Sequence, residues 1–280
     1  PLNKKSVQFF LYGRNALYAI LRVLQEKKKL NTILFPAYSC GDEIEPAKAL
    51  GYQIYFYKLM PDRSLQVDLK NLLEVLGDFK GILVVTHYFG FVQKDIDVIA
   101  KFCKRNGIIL IEDCAHCLGS KYKGKALGTF GDYAIFSLRK NVPLPHGGAL
   151  VTNKLDMKNI RSLVKKKAVF PSSEAVNLNL FVFLGYKLGL VNYGTKITEV
   201  LKKFSIKQSL HGPRLADYGG YNLQLSYFEK ALLPYIKWKD LMSAKRENYL
   251  KYLNYFEKNS LGNFVIINKI MIGEYPMFFP

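Results

Sequence analysis

The sequence predicts an α/β domain with a mostly parallel mixed sheet and helices on both of its faces. Over the first 152 residues, short apolar segments alternate with helical patterns of about ten residues. Such alternation favours right-handed crossover connections, which place the helices over the sheet. A length of 280 residues suits one large domain with a smaller companion.

The predicted elements follow from hydrophobic spacing and from the positions of glycine and proline. Leu17, Ile20 and Leu24 recur at the spacing of one helix face. Pro46 is compatible with a helix only near its first turn, which limits the second helix to a short segment. After the first helix we predict strands at 33–35, 53–57, 81–86 and 108–111 and helices at 42–50, 68–76 and 95–106.

The pattern changes after residue 120. Glycines mark a hairpin-like run, and two further strands are predicted at 133–137 and 148–152. From residue 154 onward the composition becomes rich in lysine and aromatic residues, and a long helical pattern covers 227–256. We therefore expect a domain boundary between residues 210 and 240.

The two ends of the sequence suggest a piece of a longer protein. The chain begins with Pro1 rather than Met, and it stops at Pro280 directly after a strand-like segment. We expect a large domain at 1–225 and only the start of a smaller, incomplete C-terminal domain at 226–280.

Composition and charge limit the class of protein. With 49% hydrophobic residues the chain can bury a core, so it does not belong to the disordered class. Its 41 basic and 22 acidic residues give a net charge of +19, which favours anionic partners. Four cysteines are too few for a disulfide scaffold. No signal-peptide pattern is found, and the apolar stretch 176–191 is too interrupted for a membrane span, so we expect a cytoplasmic protein.

Asp113 and Lys140 are the first candidates for chemistry. Each follows an apolar strand, and ligands of parallel sheets bind outside the carboxyl ends of the strands. A buried carboxylate that keeps a pyridine nitrogen protonated and a lysine that bonds an aldehyde are the groups a pyridoxal phosphate enzyme needs. The alternative, that Asp113 caps a turn and Lys140 is a solvated cation, stays open on spacing alone.

A phosphate site is a second candidate. Gly13 immediately precedes the first predicted helix, whose free N–H groups would face an anion. Arg14 could add a paired contact, and Ser137 could donate a hydroxyl to the same group. An ordinary turn at Gly13 and an ordinary strand residue at Ser137 are the competing interpretations.

The order of these motifs resembles one enzyme family. It is similar to the DegT/DnrJ/EryC1/StrS family of pyridoxal phosphate-dependent sugar aminotransferases, a branch of the fold type I, aspartate aminotransferase-like transferases. The resemblance covers residues 8–155 well and extends loosely to KRENY at 245–249. The segments that carry it are YGRNAL (12–17), ILFPAYSCGDEI (33–44), the strand at 51–57, THYFG (86–90), LIEDCAHCLGSKYKGKALGTFGDYAIFSLRK (110–140) and GGALVTN (147–153).

The resemblance implies roles for individual residues. Lys140 would bond the cofactor aldehyde, Asp113 would face the pyridine nitrogen, and His116 would lie beside the phenolic oxygen. An aromatic residue would stack on the ring, and strict counting puts Cys40 at that position. The other cofactor-binding residues implied are Gly13, Arg14, Asn15 and Ser137 near the phosphate and Tyr38 at the ring, with Tyr88 as the alternative to Tyr38.

The resemblance also implies a reaction and its partners. The enzyme would use pyridoxal 5′-phosphate to transfer an amino group, from glutamate, to a nucleotide-linked keto sugar for surface polysaccharide or related glycan biosynthesis. It would be a homodimer without a metal or a specific nucleic acid, and Asn222 would lie near the partner's phosphate. Lys140, rather than the histidine of sugar-dehydrating relatives, favours transamination. His146, where an acidic residue is common, and the three-residue interval from Ser137 to Lys140 depart from the usual pattern.

Other interpretations stay open beside this one. Another pyridoxal phosphate reaction, such as sugar dehydration or lyase chemistry, could use the same fold. The Cys114-Ala115-His116-Cys117 run could be a redox pair or metal site, although no second cysteine pair accompanies it. His87 and His211 are more simply explained as hydrogen-bonded histidines. Finally, an inactive protein could bind nucleic acid or a membrane surface through basic residues, namely Lys165 to Lys167, Lys202, Lys203, Lys237 and Lys239.

Overall fold

The structure, a computed structural model, describes most of the N-terminal half and part of the C-terminal region. The apolar stretch 176–191, His211 and the lysines at 165–167 and 202–203 lie outside the described residues. Of the described helices, none combines the length and apolar character needed to cross a bilayer. The described residues are 7–62, 64–142, 144–153, 157–163, 220–262, 265, 267 and 269–277.

A seven-stranded mixed sheet forms the centre of the fold, which confirms the predicted α/β class. Its strands lie in the order β1-β9-β8-β5-β4-β2-β3. The five strands from β8 to β3 run parallel, whereas β9 is antiparallel to both of its neighbours. The strands are β1 (Val7–Phe10), β2 (Thr32–Pro36), β3 (Gln53–Tyr57), β4 (Ile82–Thr86), β5 (Ile109–Asp113), β8 (Tyr133–Ser137) and β9 (Gly148–Thr152), and β6 (Lys121–Tyr122) and β7 (Lys125–Ala126) form a separate hairpin.

The helices largely match the sequence patterns, with one correction. The single helix predicted over 227–256 is broken, because a 3-10 turn at Leu233–Tyr235 containing Pro234 interrupts it. The second helix, in contrast, continues through Pro46. The helices are α1 (Gly13–Lys28), α2 (Gly41–Ala49), α3 (Leu69–Leu76), α4 (Ile96–Asn106), α5 (Leu138–Asn141), α6 (Met157–Leu163), α7 (Tyr227–Leu232) and α8 (Trp238–Lys258).

Helices pack on both faces of the sheet, as the alternation predicts. Along β4, Ile82 and Val84 join a core cluster that includes buried residues of α1 and α6. Leu83 and Val85 point the other way, into a second cluster with residues of α3 and α4. Because successive strand residues face opposite sides, a strand buried on both faces reads as a continuous apolar run. Burial of β4 on both faces therefore explains the apolar run GILVVT at 81–86.

The C-terminal helices pack on the loop between β8 and β9. Leu138, Val142 and Leu144 of that loop form an apolar cluster with Leu225 and Ile236. The loop returns to β9 through Gly148, where a Cβ atom would lie 2.1 Å from Tyr12 O, so only glycine fits there. The loop that carries Lys140 is thus covered by segments of the chain that follow residue 219.

Glu112 anchors the turn between the small hairpin and β8. Its side chain is buried completely. Its carboxylate accepts hydrogen bonds of 2.7–2.9 Å from the backbone N–H groups of Gly128, Phe130 and Gly131. The His87 Nε2 atom lies 3.2 Å from the same carboxylate. Four partners therefore satisfy one buried acidic group, which fixes the position at which β8 begins.

Replacing Glu112 tests this anchor. We expect Glu112→Ala to lower the free energy of unfolding by about 3 kcal/mol or more, because each buried donor left unpaired costs about 1–3 kcal/mol. Urea unfolding followed by circular dichroism measures the change. Glu74→Ala, on the exposed side of α3, is the control and should change stability by less than about 0.5 kcal/mol. Equal effects of the two substitutions would contradict the assignment.

Candidate active site

The carboxyl ends of β4, β5 and β8 open onto a cavity of about 330 Å³. The first turn of α1 and the loop before α2 provide its other walls. In open α/β sheets, ligands bind outside the carboxyl ends of the strands. The cavity therefore lies where the sequence predicts chemistry.

Asp113 and Lys140 reach this cavity from neighbouring strands. β5 and β8 pair in parallel, with Asp113 opposite Ile135. Asp113 ends β5, and Lys140 lies in α5 directly after β8. Asp113 is buried, and its Oδ1 accepts a hydrogen bond of 2.8 Å from the backbone N–H of Ala115. Both side chains line the same cavity, as a shared ligand would require.

His116 lies between Lys140 and Phe89. Its Nε2 is 2.9 Å from Lys140 Nζ, and its Nδ1 accepts a hydrogen bond of 3.3 Å from the Phe89 backbone N–H. The Phe89 ring stacks on the imidazole, with 5.6 Å between the ring centres. Burial, followed by the charge of Lys140, lowers the pKa of His116 to about 4. A neutral imidazole has one donor and one acceptor nitrogen, and its Nε2 is the atom that faces Lys140 Nζ.

The first turn of α1 has the properties of an anion site. Its N-cap residue, Tyr12, makes no capping hydrogen bond with its side chain, and the first turn contains no acidic residue. The first N–H groups of a helix lack partners within the helix, and they attract anions together with the helix dipole. A Cβ at Gly13 would lie 3.8 Å from Ser137 Cβ, so the helix start and Ser137 meet at one corner of the cavity.

Two arginines lie at this corner. The Cζ atoms of Arg14 and Arg139 are 5.0 Å and 5.2 Å from the centre of the Tyr12 ring. Arg14 Nη1 also contacts Asp42 Oδ1 at 2.8 Å. Guanidinium groups recognise phosphate and carboxylate through paired hydrogen bonds. The cavity therefore offers cationic groups beside the helix start.

Both candidates for the ring-stacking residue belong to one wall of the cavity. Tyr38 is 56% exposed, and its ring centre lies 5.5 Å from that of Tyr88. Tyr88 is buried, and its hydroxyl donates a hydrogen bond of 2.5 Å to Tyr38 O. Cys40 lines the same wall. The choice between the two tyrosines stays a prediction.

Asn15 is the one predicted cofactor-binding residue that does not line the cavity. It is fully buried, and its Nδ2 donates a hydrogen bond of 2.8 Å to Tyr221 O. Its backbone N–H bonds to Tyr12 O. The observed contacts of Asn15 thus fasten the start of α1 to the segment that follows residue 219. Asn222 belongs to this segment, and its predicted role near a partner's phosphate stays a prediction.

Glu43 is a second carboxyl group in the cavity, and it was not predicted from the sequence. Its Oε1 accepts a hydrogen bond of 3.2 Å from Thr86 Oγ1, and its Oε2 accepts one of 2.9 Å from the Cys40 backbone N–H. Burial, followed by the charge of Asp113, raises the pKa of Glu43 to about 8. The signal in the sequence is weak, because a glutamate three residues after a helix N-cap is read as a capping residue.

Asn141 and Lys245 were also missed. Asn141 Nδ2 donates hydrogen bonds of 2.9 Å and 2.8 Å to the backbone oxygens of Ala115 and Ser137, so it joins the turn after β5 to the end of β8. Its Oδ1 accepts one of 3.0 Å from Lys245 Nζ of α8. Burial lowers the pKa of Lys245 to about 8. The only sequence signal is the position of Asn141 directly after Lys140 and of Lys245 in the KRENY segment.

His146, a departure from the family pattern, pairs with a carboxylate from another element. Its backbone N–H and its Nδ1 both contact Glu229 Oε1, at 3.0 Å and 2.9 Å. Burial is the largest single influence on Glu229, and it raises the pKa of that group. The hydrogen bonds with His146 and Ser226 together outweigh burial, so the pKa of Glu229 is lowered. The acidic group is thus supplied by α7, 83 residues later in the chain.

The geometry gives no support to a metal or redox site at the Cys114–Cys117 run. His116 points into the cavity, whereas both cysteines are buried in a core cluster as free thiols. Burial raises the pKa of both thiols, which disfavours the reactive thiolate. His87, Glu112 and Cys114 do approach one another, but His87 Nδ1 accepts a hydrogen bond from Gln93 and its Nε2 faces Glu112. Both ring nitrogens of His87 are therefore engaged within the protein.

Replacing Asn141 tests the link between the two turns. We expect Asn141→Ala to lower the free energy of unfolding by about 2 kcal/mol, since it removes three hydrogen bonds and leaves buried groups unpaired. Urea unfolding measures the loss. The control is Asn31→Ala, at an exposed position before β2, which should be nearly neutral. A loss no larger than that of the control would refute the link.

Comparison with known proteins places the chain in a family. The DegT/DnrJ/EryC1/StrS aminotransferase family model matches residues 10–192. The UDP-4-amino-4,6-dideoxy-N-acetyl-beta-L-altrosamine transaminase of Campylobacter jejuni is 39% identical over 105 residues, 35% of this chain and 27% of the relative. The GDP-perosamine synthase of Escherichia coli O157:H7 is 34% identical over 94 residues, 33% of this chain and 26% of the relative. The matched part thus spans about a quarter of the length of these curated relatives.

Solved structures agree at the level of the fold. A DegT DnrJ EryC1 StrS aminotransferase from Brucella abortus has a TM-score of 0.60 at 18% identity, over 97% of this chain and 63% of that one. Helicobacter pylori PseC, an aminotransferase involved in the biosynthesis of pseudoaminic acid, has a TM-score of 0.59 at 18% identity, over 89% of this chain and 58% of that one. The fold predicted from the sequence is confirmed, and the chain belongs to the DegT/DnrJ/EryC1/StrS aminotransferase family.

Proposed function

We propose that the whole protein is an aminotransferase that moves an amino group from an amino acid to a keto sugar. The observation that carries this proposal is one cavity lined by Lys140, Asp113 and the uncapped first turn of α1. These are a nucleophilic amine, a buried carboxylate and an anion site, and a family of aminotransferases provides the context.

The residues present fit pyridoxal 5′-phosphate, the cofactor of this family. Gly13, Arg14 and Ser137 would hold its phosphate at the helix start, and Asp113 would pair with its ring nitrogen. Tyr38 or Tyr88 would cover the ring, and His116 would lie beside the phenolic oxygen. When bound, this cofactor supplies an aldehyde and a ring that withdraws electrons from the carbon bearing the amino group.

Lys140 and His116 would then manage the protons of the reaction. Lys140 Nζ would bond the cofactor aldehyde, and as a free amine it would accept and return the proton that the reaction moves. His116 Nε2, 2.9 Å from Lys140 Nζ, would hold the amine at the cavity through a hydrogen bond. Asp113 stays in place because the Ala115 N–H fixes one of its oxygens.

A sugar carried on a nucleotide is the acceptor that we favour. Arg14 and Arg139 supply cationic groups at the cavity, and a net charge of +19 favours anionic ligands. Two relatives carry UDP-linked or GDP-linked amino sugars in their names. We further propose that glutamate is the amino donor and that the product enters surface polysaccharide or a related glycan.

We also propose that the protein works as a cytoplasmic homodimer. Each subunit would be divided into domains at 1–225 and 226–280.

Lys140 gives the most direct test. We expect wild-type protein mixed with pyridoxal phosphate to gain a visible absorbance band, and borohydride to fix one cofactor mass to Lys140. Lys140→Ala and Lys140→Arg should lose both signals. Because Lys140→Arg keeps the positive charge, its loss would show that a cation at this position is not sufficient to bond the cofactor. Mass spectrometry of peptides locates the label. Labelling of a different lysine, or of none in the wild type, would defeat the proposal.

Product analysis separates the remaining reactions. With glutamate and a nucleotide-linked 4-keto sugar, we expect an amino sugar nucleotide and 2-oxoglutarate in equal amounts. A deoxygenated keto sugar, with ammonia released and no amino sugar formed, would show dehydration instead, because the loss of the hydroxyl oxygen also consumes two electrons from glutamate. Absence of cofactor binding, together with salt-dependent binding to DNA or anionic vesicles, would show a binding protein.

Arg14 tests the phosphate site. We expect Arg14→Ala to weaken pyridoxal phosphate binding by about 10-fold to 100-fold, because a hydrogen bond to a charged group contributes about 1.5–3 kcal/mol. Fluorescence titration measures the affinity. Arg22→Ala removes an exposed arginine that pairs with Glu26 on the same helix, and it should leave the affinity unchanged. Equal affinities of Arg14→Ala and the wild type would place the phosphate elsewhere.

A further inference from the structure

Residues 271–277 form a strap that crosses the loop after β4, the loop that carries Phe89. Glu274, at the centre of the strap, is buried, and its Oε1 accepts a hydrogen bond of 2.8 Å from the Val92 backbone N–H. Its Oε2 accepts one of 2.6 Å from the Met271 backbone N–H. One carboxylate thus joins the strap to the loop and also closes the turn of the strap itself.

Backbone and hydroxyl contacts hold the strap against the same loop. The Met277 backbone N–H donates a hydrogen bond of 2.6 Å to Phe89 O. Ser120 Oγ donates to Gly90 O and accepts from the Tyr275 backbone N–H, both at 3.2 Å. A Cβ at Gly90 would lie 2.5 Å from Tyr275 O, so only glycine allows so close an approach. These contacts fasten the strap to the loop at two successive residues, Phe89 and Gly90.

The helix α8 contacts both the strap and the loop. Arg246 Nη1 donates hydrogen bonds of 2.7 Å and 3.0 Å to Met271 O and Glu274 O of the strap. Tyr249 of the same helix packs on Phe91 of the loop, with 5.4 Å between the ring centres. Helix, strap and loop are therefore joined pairwise by direct contacts.

Phe89 connects these contacts to the candidate site. Its backbone has a φ of +55°, a left-handed conformation that a bulky residue adopts only where its surroundings impose it. In this conformation the Phe89 ring stacks on the His116 imidazole at an interplanar angle of 8°, and the Phe89 N–H bonds to His116 Nδ1. The other ring nitrogen of His116 lies 2.9 Å from Lys140 Nζ. A series of direct contacts therefore joins Glu274 to the lysine amine.

We propose that Glu274 is a positioning residue, which fixes the strap on the loop and so holds the Phe89 ring against His116 beside Lys140. The part of this inference that concerns the cofactor rests on the proposed function. Without the carboxylate, two backbone N–H groups would lose their acceptors. The loop would then relax, and Phe89 would leave its left-handed conformation.

NMR of the full chain without added cofactor gives a readout that a merely structural role would not move. The chain contains four histidines, so the imidazole C–H signals are few, and His116→Gln identifies the signal of His116. The ring current of an aromatic side chain displaces the signal of an imidazole stacked on it. We expect Phe89→Leu, which removes the ring, to shift the His116 signal, and Glu274→Gln to shift it in the same direction.

Glu274→Gln is the informative substitution because it keeps the size of the side chain. Its amide offers one acceptor oxygen, whereas its NH₂ group would face the second backbone N–H donor. Glu257→Gln, at an exposed position of α8, is the matched control and should leave the His116 signal unmoved. Combined with Phe89→Leu, Glu274→Gln should add no further shift, because its effect passes through the Phe89 ring.

Two outcomes would overturn the positioning role. An unmoved His116 signal in a folded Glu274→Gln variant would reduce Glu274 to a structural contact. Equal shifts from Glu274→Gln with and without the Phe89 ring would show that the strap acts on His116 by another route. If Glu274→Gln does not fold, Ser120→Ala replaces it, because this variant removes the hydroxyl that bridges strap and loop, and the same shift is expected.

A cofactor titration of the same variants separates this inference from the proposed function. We expect Glu274→Gln to weaken pyridoxal phosphate binding by about threefold to tenfold, because binding must then order a side chain that the wild type already holds in place. Glu257→Gln should bind as the wild type does. An unchanged affinity of Glu274→Gln beside a shifted His116 signal would overturn the part that concerns the cofactor. If the wild type itself binds no cofactor, the proposed function fails, and the His116 signals still decide whether Glu274 positions Phe89.

Discussion

The parallel pairing of β5 with β8 is the constraint on which the site depends. It fixes the distance between the last residue of one strand, Asp113, and the turn that follows the other, which carries Lys140. Asn141 then joins the two turns through hydrogen bonds to both backbones. A buried carboxylate and a lysine amine are brought together by strand register and one amide side chain, rather than by any attraction between themselves.

Much of this arrangement is accessible from the sequence, because local rules and the fold agree. Continuous apolar runs identify the buried strands, and Gly13 marks the start of the first helix. The positions of Asp113, Lys140, Ser137 and Gly13 along the chain then suffice to place them at one edge of the sheet. Hydrophobic periodicity reflects neighbouring residues of the chain, so it can be read from a single sequence.

Contacts between segments that are distant in the chain could not be predicted from the sequence. The link from Lys245 to Asn141 joins residues 104 apart, and nothing in the local pattern of α8 distinguishes Lys245 from its exposed neighbours. Asn15 was expected among the cofactor-binding residues, and the contact of its side chain with Tyr221 O, 206 residues away, has no local signal in the sequence. The break before α8 was missed because helical spacing continues across Pro234 and hides the 3-10 turn.

The two contacts between the lysine loop and the C-terminal helices have a consequence for how the protein is made. The loop is complete once β9 has been synthesised, yet the partners of His146 and Asn141 are Glu229 and Lys245. Closing contacts over such separations is slow and entropically costly, so they form after the sheet itself. During synthesis, therefore, the amine of Lys140 leaves the ribosome long before its surroundings are complete, and its neighbour Asn141 gains its contact with Lys245 only after α8 has been made.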